Sequence, residues 1–136
     1  MFPYIENIDQ VREAINGLDE FKEIHKPDCN FIVIDYMVNY NDTFPEPLTS
    51  NDELNNLYKI RRECRGIKFD YNTGNIIARP YHKFFNIGER ETTMLNNINW
   101  NNKFVVLNKY DGSMIHPIVL NDKVIYCTKL GTTEVA

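Results

Sequence analysis

Lys109 heads the run Lys109-Tyr110-Asp111-Gly112-Ser113, whose residue types could carry covalent phosphoryl chemistry. A lysine amine becomes a nucleophile once neutral, and partial desolvation or a neighbouring cation favours that form. Gly112 lets backbone approach a ligand closely, and the turn at Asp111 can aim N–H groups at a phosphate or a base. The residues before it predict a strand over 103–109, with Val105, Leu107 and Lys109 on one face and the ammonium at the lip of an apolar layer. Alone, the K-x-D-G pattern reads more readily as a hairpin turn beside an exposed lysine, since Asp-Gly is a common turn pair.

A second block adds weight. Glu63-Cys64-Arg65-Gly66 opens one predicted strand, and Arg79-Pro80-Tyr81-His82-Lys83-Phe84-Phe85-Asn86 follows the hairpin after it. Arg65 can fork onto phosphate oxygens, and Lys83 supplies a second cation. Phe85 offers a face for a purine. Core packing would account for one of the two phenylalanines but not for the cations that flank both.

Taken together, Glu63-Cys64-Arg65-Gly66, Arg79-Pro80, Lys83-Phe84-Phe85-Asn86, Glu89 and Lys109-x-Asp111-Gly112-Ser113 resemble the bacteriophage tRNA-repairing RNA ligases, a family of ATP-dependent covalent nucleotidyltransferases. The resemblance covers about residues 30–132, with Tyr36 and Tyr40-Asn41-Asp42 as a weaker lead-in. It implies that Lys109 attacks the α-phosphorus of ATP and holds AMP as a phosphoramidate. AMP then passes to an RNA 5′-phosphate, and a 3′-hydroxyl seals the joint. The same resemblance assigns phosphate contacts to Arg65 and Lys83, adenine packing to Phe85, nucleotide contacts to Asp111 and Gly112, and a triphosphate contact to Lys129. The Lys129 match departs from the usual spacing by one residue. Mg²⁺ is implied with ATP, and RNA ends, tRNA above all, as substrate.

Family members continue past this point with a glutamate-bearing strand, an E-G-x-x motif and a late K-x-K motif, none of which follows Lys129; Glu134 is a lone carboxylate there. The chain, 1–136, therefore reads as a partial adenylylation domain that adenylylates feebly alone. A catalytically inactive RNA- or nucleotide-binding remnant is one alternative, and one subunit of a split ligase, completed by a complementary polypeptide, is the other.

The elements that must position these residues follow from pattern. Ile8, Val11, Ile15, Leu18, Phe21 and Ile24 recur at helical spacing, predicting a helix over 8–25 or two short ones meeting at Gly17. Residues 31–38 read as a strand, and Ser50-x-x-Glu53 as a capping box opening a short helix. Strands over 64–70 and 76–79 flank a turn at 71–75. A hairpin pairs 113–120 with 123–129 about Asn121-Asp122, with Pro117 near an edge or bulge. The class is α+β with largely antiparallel sheets.

Composition supports a soluble globular domain: 43% of residues are hydrophobic and 25% charged, and no apolar run approaches the roughly 20 residues of a membrane span. The start lacks a secretory signal, so the reading is cytoplasmic, with no membrane partner. Cys29, Cys64 and Cys127 are widely spaced and read as reduced, partly buried residues, and His25, His82 and His116 lack ligand spacing. The net charge of −4 conceals an asymmetry: residues 1–60 carry −8, residues 61–109 carry +5, and the rest −1. Positive charge thus gathers where the candidate chemistry lies, as a polyanionic partner requires.

Overall fold

The computed structural model describes residues 2–133. Four antiparallel strands form the main sheet in sequence order: β1 (Phe21–Lys26), β2 (Phe31–Tyr36), β3 (Arg65–Asp70) and β4 (Ile76–Ala78). A separate hairpin, β5 (His116–Leu120) and β6 (Lys123–Cys127), lies beyond. Two helices, α1 (Ile8–Ala14) and α2 (Asp52–Glu63), complete the expected α+β architecture.

Strand β2 is central and buried on both faces, which is why it reads as a continuous apolar run. Its alternation divides the core. Ile32 and Ile34 join Val11, Ile60, Ile67 and Phe69 in a cluster with the helices. Phe31 and Val33 point the other way, joining Ala78, Ile118 and Cys127 in a second cluster under the β5–β6 hairpin. Each face of the sheet is therefore covered by a different part of the chain.

The helix expected over 8–25 is corrected. It ends after Ala14, Gly17 takes φ +75°, and Phe21 begins a strand paired with β2. Steps of three and four place Phe21 and Ile24 on one side of a helix, but on opposite sides of a strand. Phe21 indeed packs in the first cluster and Ile24 against the second, so each core gains a side chain that one helix face could not deliver.

At α2 the predicted capping box gives way to Asn51, whose side-chain oxygen accepts from the Leu54 N–H at 3.0 Å. Asn55 and Thr49 fasten the preceding loop, with the Asn55 amide donating to the Thr49 carbonyl at 2.8 Å. Replacing Asn51 by alanine is expected to cost about 1 kcal/mol, read as a lower urea midpoint with unchanged m-value.

The turns fall where the sequence places them. Asp70 accepts from the N–H groups of Asn72 and Thr73 to shape the β3–β4 turn. Asn121 and Asp122, at φ 51° and 60°, make a turn of the primed type that suits a hairpin. Pro117 sits in the two-stranded sheet, exposed and opposite Tyr126, where the missing N–H is tolerated. Cys64 and Cys127 are buried and Cys29 half-buried, all three as free thiols.

A second correction concerns residues 103–109, which form no strand in the structure. Val105, Val106 and Leu107 are 75%, 83% and 73% exposed. Their strand-forming character has no neighbouring edge to pair with among the described residues, and propensity without a partner does not make a sheet. The apolar layer expected to shelter Lys109 is accordingly absent there.

Candidate functional site

A β-bulge begins the site. Ile34 pairs with Ile67 but Asp35 pairs with Arg65, so Gly66 is the extra residue on β3, with φ +83°. The bulge changes the parity of the strand and puts Arg65 on the face of Asp35 and Lys68, away from the helices. There Arg65 lines a cleft of about 480 Å³ with Gly112, Ser113, Met114, Thr128 and Lys129. Its guanidinium donates to the Tyr81 carbonyl at 3.3 Å and lies 5.1 Å from the Phe84 ring centre. Phe84 thereby orients an arginine instead of filling the core.

Lys129 is held at both ends. Its ammonium lies 2.8 Å from the Asp35 carboxylate and 4.6 Å from the centre of the Tyr36 ring. Asp35 is only 1% exposed, and among the described residues Lys129 is the cation within ion-pair distance of its carboxylate. Burial pushes the Asp35 carboxyl up from its ordinary range, while Lys129, the Tyr36 N–H and Arg65 pull it back down.

The main chain of Lys129 rests on β3. The fully buried Lys68 ammonium donates to the carbonyls of Gly66 at 3.0 Å, Thr128 at 3.0 Å and Lys129 at 3.2 Å. The His116 Nε2 lies 3.2 Å from it as a further acceptor when that nitrogen is unprotonated. Burial pushes the Lys68 amine down to about 8, against the opposing pull of Cys127 and Asp35. Gly66 leaves room for this seat, since a Cβ there would lie 2.6 Å from the Lys129 carbonyl oxygen.

Lys83 and Phe85 also gather near Tyr36. The Lys83 ammonium is 5.8 Å from the Tyr36 ring centre and 5.1 Å from that of Phe85. Phe85 is half-buried against Phe44, and its ring also meets Arg62 at 5.2 Å and Arg90 at 4.7 Å. Three cations thus share one ring, an arrangement whose electrostatic attraction is strongest where water is excluded. Tyr36 joins this group to Lys129, giving the residue a larger part than its weak sequence signal implies.

Lys109 and Asp111 are exposed and do not line the cleft. Gly112 does line it, at φ 125°. Two residues separate Lys109 from Gly112, so their Cα atoms, three steps apart along the chain, lie within ~11 Å of each other. The structure therefore brings together Arg65, Gly112 and Lys129, links Lys83 and Phe85 to them through Tyr36, and leaves Lys109 on an adjoining exposed segment.

Asp35 and Lys68 carry no functional signal in the sequence. Each is a charged residue inside a run of strand formers, Ile34-Asp35-Tyr36 and Ile67-Lys68-Phe69, and that placement is the available clue. A second cavity of about 530 Å³ adjoins Met114, but the carboxylate at its floor is engaged: Arg79 grips Glu63 with two contacts at 3.0 Å. Among the described residues no three His, Cys, Asp or Glu side chains converge as metal ligands, and Glu134 lies outside the described residues. No helix among the described residues is long and apolar enough to cross a membrane.

Comparison with known proteins bears on the same region. A family model described as RNA ligase matches residues 63–136, which include Arg65, Lys83, Lys109 and Lys129. The chain is also 32% identical, over 117 residues, to the protein named "Putative RNA ligase" of Thermovibrio ammonificans. That alignment takes in 86% of this chain and 27% of the relative's length.

Proposed function

The chain belongs to the RNA ligase family, and from that premise we propose that it is the AMP-accepting part of an ATP-dependent RNA ligase, with Lys109 as the nucleophile. The observation that carries this reading is the cleft in which Arg65 and Lys129 flank Gly112, three residues from Lys109. Two cations beside a glycine turn suit a polyphosphate. Arg65 and Lys129 would bear on the phosphates of ATP, with Lys83 adding charge from beside Tyr36.

The step is phosphoryl transfer. The Lys109 amine forms a P–N bond to the α-phosphorus, the bond to the bridging oxygen breaks, pyrophosphate leaves, and the amine releases a proton. Positioning and charge neutralisation supply the catalysis. Asp111 stays beside the lysine in the same turn. Packing of adenine on Phe85 requires Arg62 or Arg90 to leave that ring. The carboxylates of the described residues do not form a cluster fit for Mg²⁺.

The RNA termini would be a 5′-phosphate and a 3′-hydroxyl, with tRNA repair in the cytoplasm of a phage-infected cell as the setting. A second component also enters the reading. The exposed run Phe104-Val105-Val106-Leu107 needs a cover, and the chain spans about a quarter of its relative. A complementary ligase segment would supply that cover.

Incubation with α-labelled ATP and Mg²⁺ tests the proposal. A label that survives denaturation, is released by acid as from a phosphoramidate, and maps to the peptide containing Lys109 is the expected result. Folded chain that takes no label, alone or with the remaining part of an RNA ligase, overturns it.

A further inference from the structure

We propose that Asp35 and Lys68 are positioning residues for Lys129, fixing its main chain and its ammonium so that it meets a polyphosphate at the lip of the cleft. The inference rests on the nucleotide reading above and adds two residues that touch no reacting atom.

A lysine in the interior of β3 is unfavourable unless its charge is compensated and its N–H groups are satisfied. Lys68 meets this condition with carbonyls from two places: Gly66 on its own strand, and Thr128 and Lys129 in the turn after β6. An apolar residue would fill the same space in the second core but would leave those carbonyls unpaired. The ammonium therefore ties that turn to β3. Gly66 contributes at the same point, because only a residue without a Cβ lets the Lys129 carbonyl come so close.

Asp35 acts at the other end of the side chain. It is a buried carboxylate within ion-pair distance of one cation, Lys129, on a strand otherwise given to packing. With the carbonyl held by Lys68 and the ammonium by Asp35, Lys129 is fixed at two points beside Tyr36. A surface lysine kept for solubility needs neither anchor. The Lys129 side chain nevertheless remains 40% exposed and lines the cleft. Holding a donor in place beforehand removes the ordering cost that a flexible lysine would meet on binding.

Calorimetric titration of the folded chain with inorganic tripolyphosphate provides the test, using double-mutant cycles. In the wild-type background Lys129→Ala is expected to weaken binding about tenfold, the scale of one charge-assisted hydrogen bond. In Asp35→Asn, and in Lys68→Met, the same Lys129→Ala change should cost less than about twofold, since an unheld lysine contributes little. Asp35→Asn keeps shape and size, so its cycle stands even if Lys68→Met unfolds. A tenfold cost that persists in the Asp35→Asn background overturns the inference for Asp35, and its persistence in folded Lys68→Met does so for Lys68. Tripolyphosphate binding indifferent to Lys129→Ala in the wild type overturns the inference alone, leaving Lys109 labelling intact. A folded chain that binds no tripolyphosphate removes the phosphate reading of the cleft and this inference with it.

Discussion

Replacing Lys109 by alanine is expected to abolish the covalent AMP label, a loss of at least about a thousandfold limited by detection, while tripolyphosphate still binds. The two readouts separate because they draw on different residues. Arg65 and Lys129 line the cleft and remain in the variant, whereas the bond-forming nitrogen is gone. Lys109→Arg should fail equally, since a guanidinium keeps its charge but offers no free amine at working pH. Lys129→Ala should by contrast lower the labelling rate by only about tenfold, as expected for one lost phosphate contact. Intact-mass spectrometry after denaturation checks all three. A label of wild-type intensity on Lys109→Ala would mean that another nucleophile carries the AMP, and the assignment of Lys109 would fall.

The exposure of the Lys109 segment makes a further demand on the same experiment. Burial in an apolar layer would help free the amine, but Val105, Val106 and Leu107 face solvent. Slow labelling by the chain alone, accelerated when a complementary ligase segment covers residues 104–107, is the pattern that the exposed run implies. Acceleration without any change in the exposure of those residues would point to something other than cover.

What was legible in the sequence was local. The β3–β4 turn and the Asn121-Asp122 hairpin are dictated by residues within a few positions of one another, and β2 by an unbroken apolar run. The short helix α1 was legible too, but its end was not: a three-residue step between Phe21 and Ile24 suits a helix face and also two faces of a strand. The choice is made by β2, which offers an edge six residues long to β1. At 103–109 the same logic runs in reverse, for strand-forming residues find no edge among the described residues. For the site, Arg65, Gly112 and Lys129 were named from the sequence by resemblance, and they line one cleft. Asp35, Lys68 and the bulge at Gly66 were not, because their meaning depends on contacts between residues more than thirty positions apart, such as Lys68 with Thr128.

Gly66 yields the other large effect. Gly66→Ala is expected to lower stability by about 3–5 kcal/mol, and Gly17→Ala by about 1 kcal/mol, although both residues adopt left-handed φ, +83° and +75°. A Cβ at Gly17 meets nothing within 4 Å, so only the strained backbone counts. At Gly66 the added carbon would lie 2.6 Å from the Lys129 carbonyl oxygen, a backbone atom. That oxygen cannot withdraw freely, because it and its Thr128 neighbour accept from the buried Lys68 ammonium. Relief of the clash moves the turn off β3 and leaves a buried charge short of partners, which costs about 1–3 kcal/mol for each group left unsatisfied. The same movement takes Lys129 away from Arg65 and opens the cleft between them. Urea unfolding of the two variants beside the wild type measures the difference. Equal shifts for Gly66→Ala and Gly17→Ala would show that the turn yields without loss, and that β3 does not hold Lys129 in place.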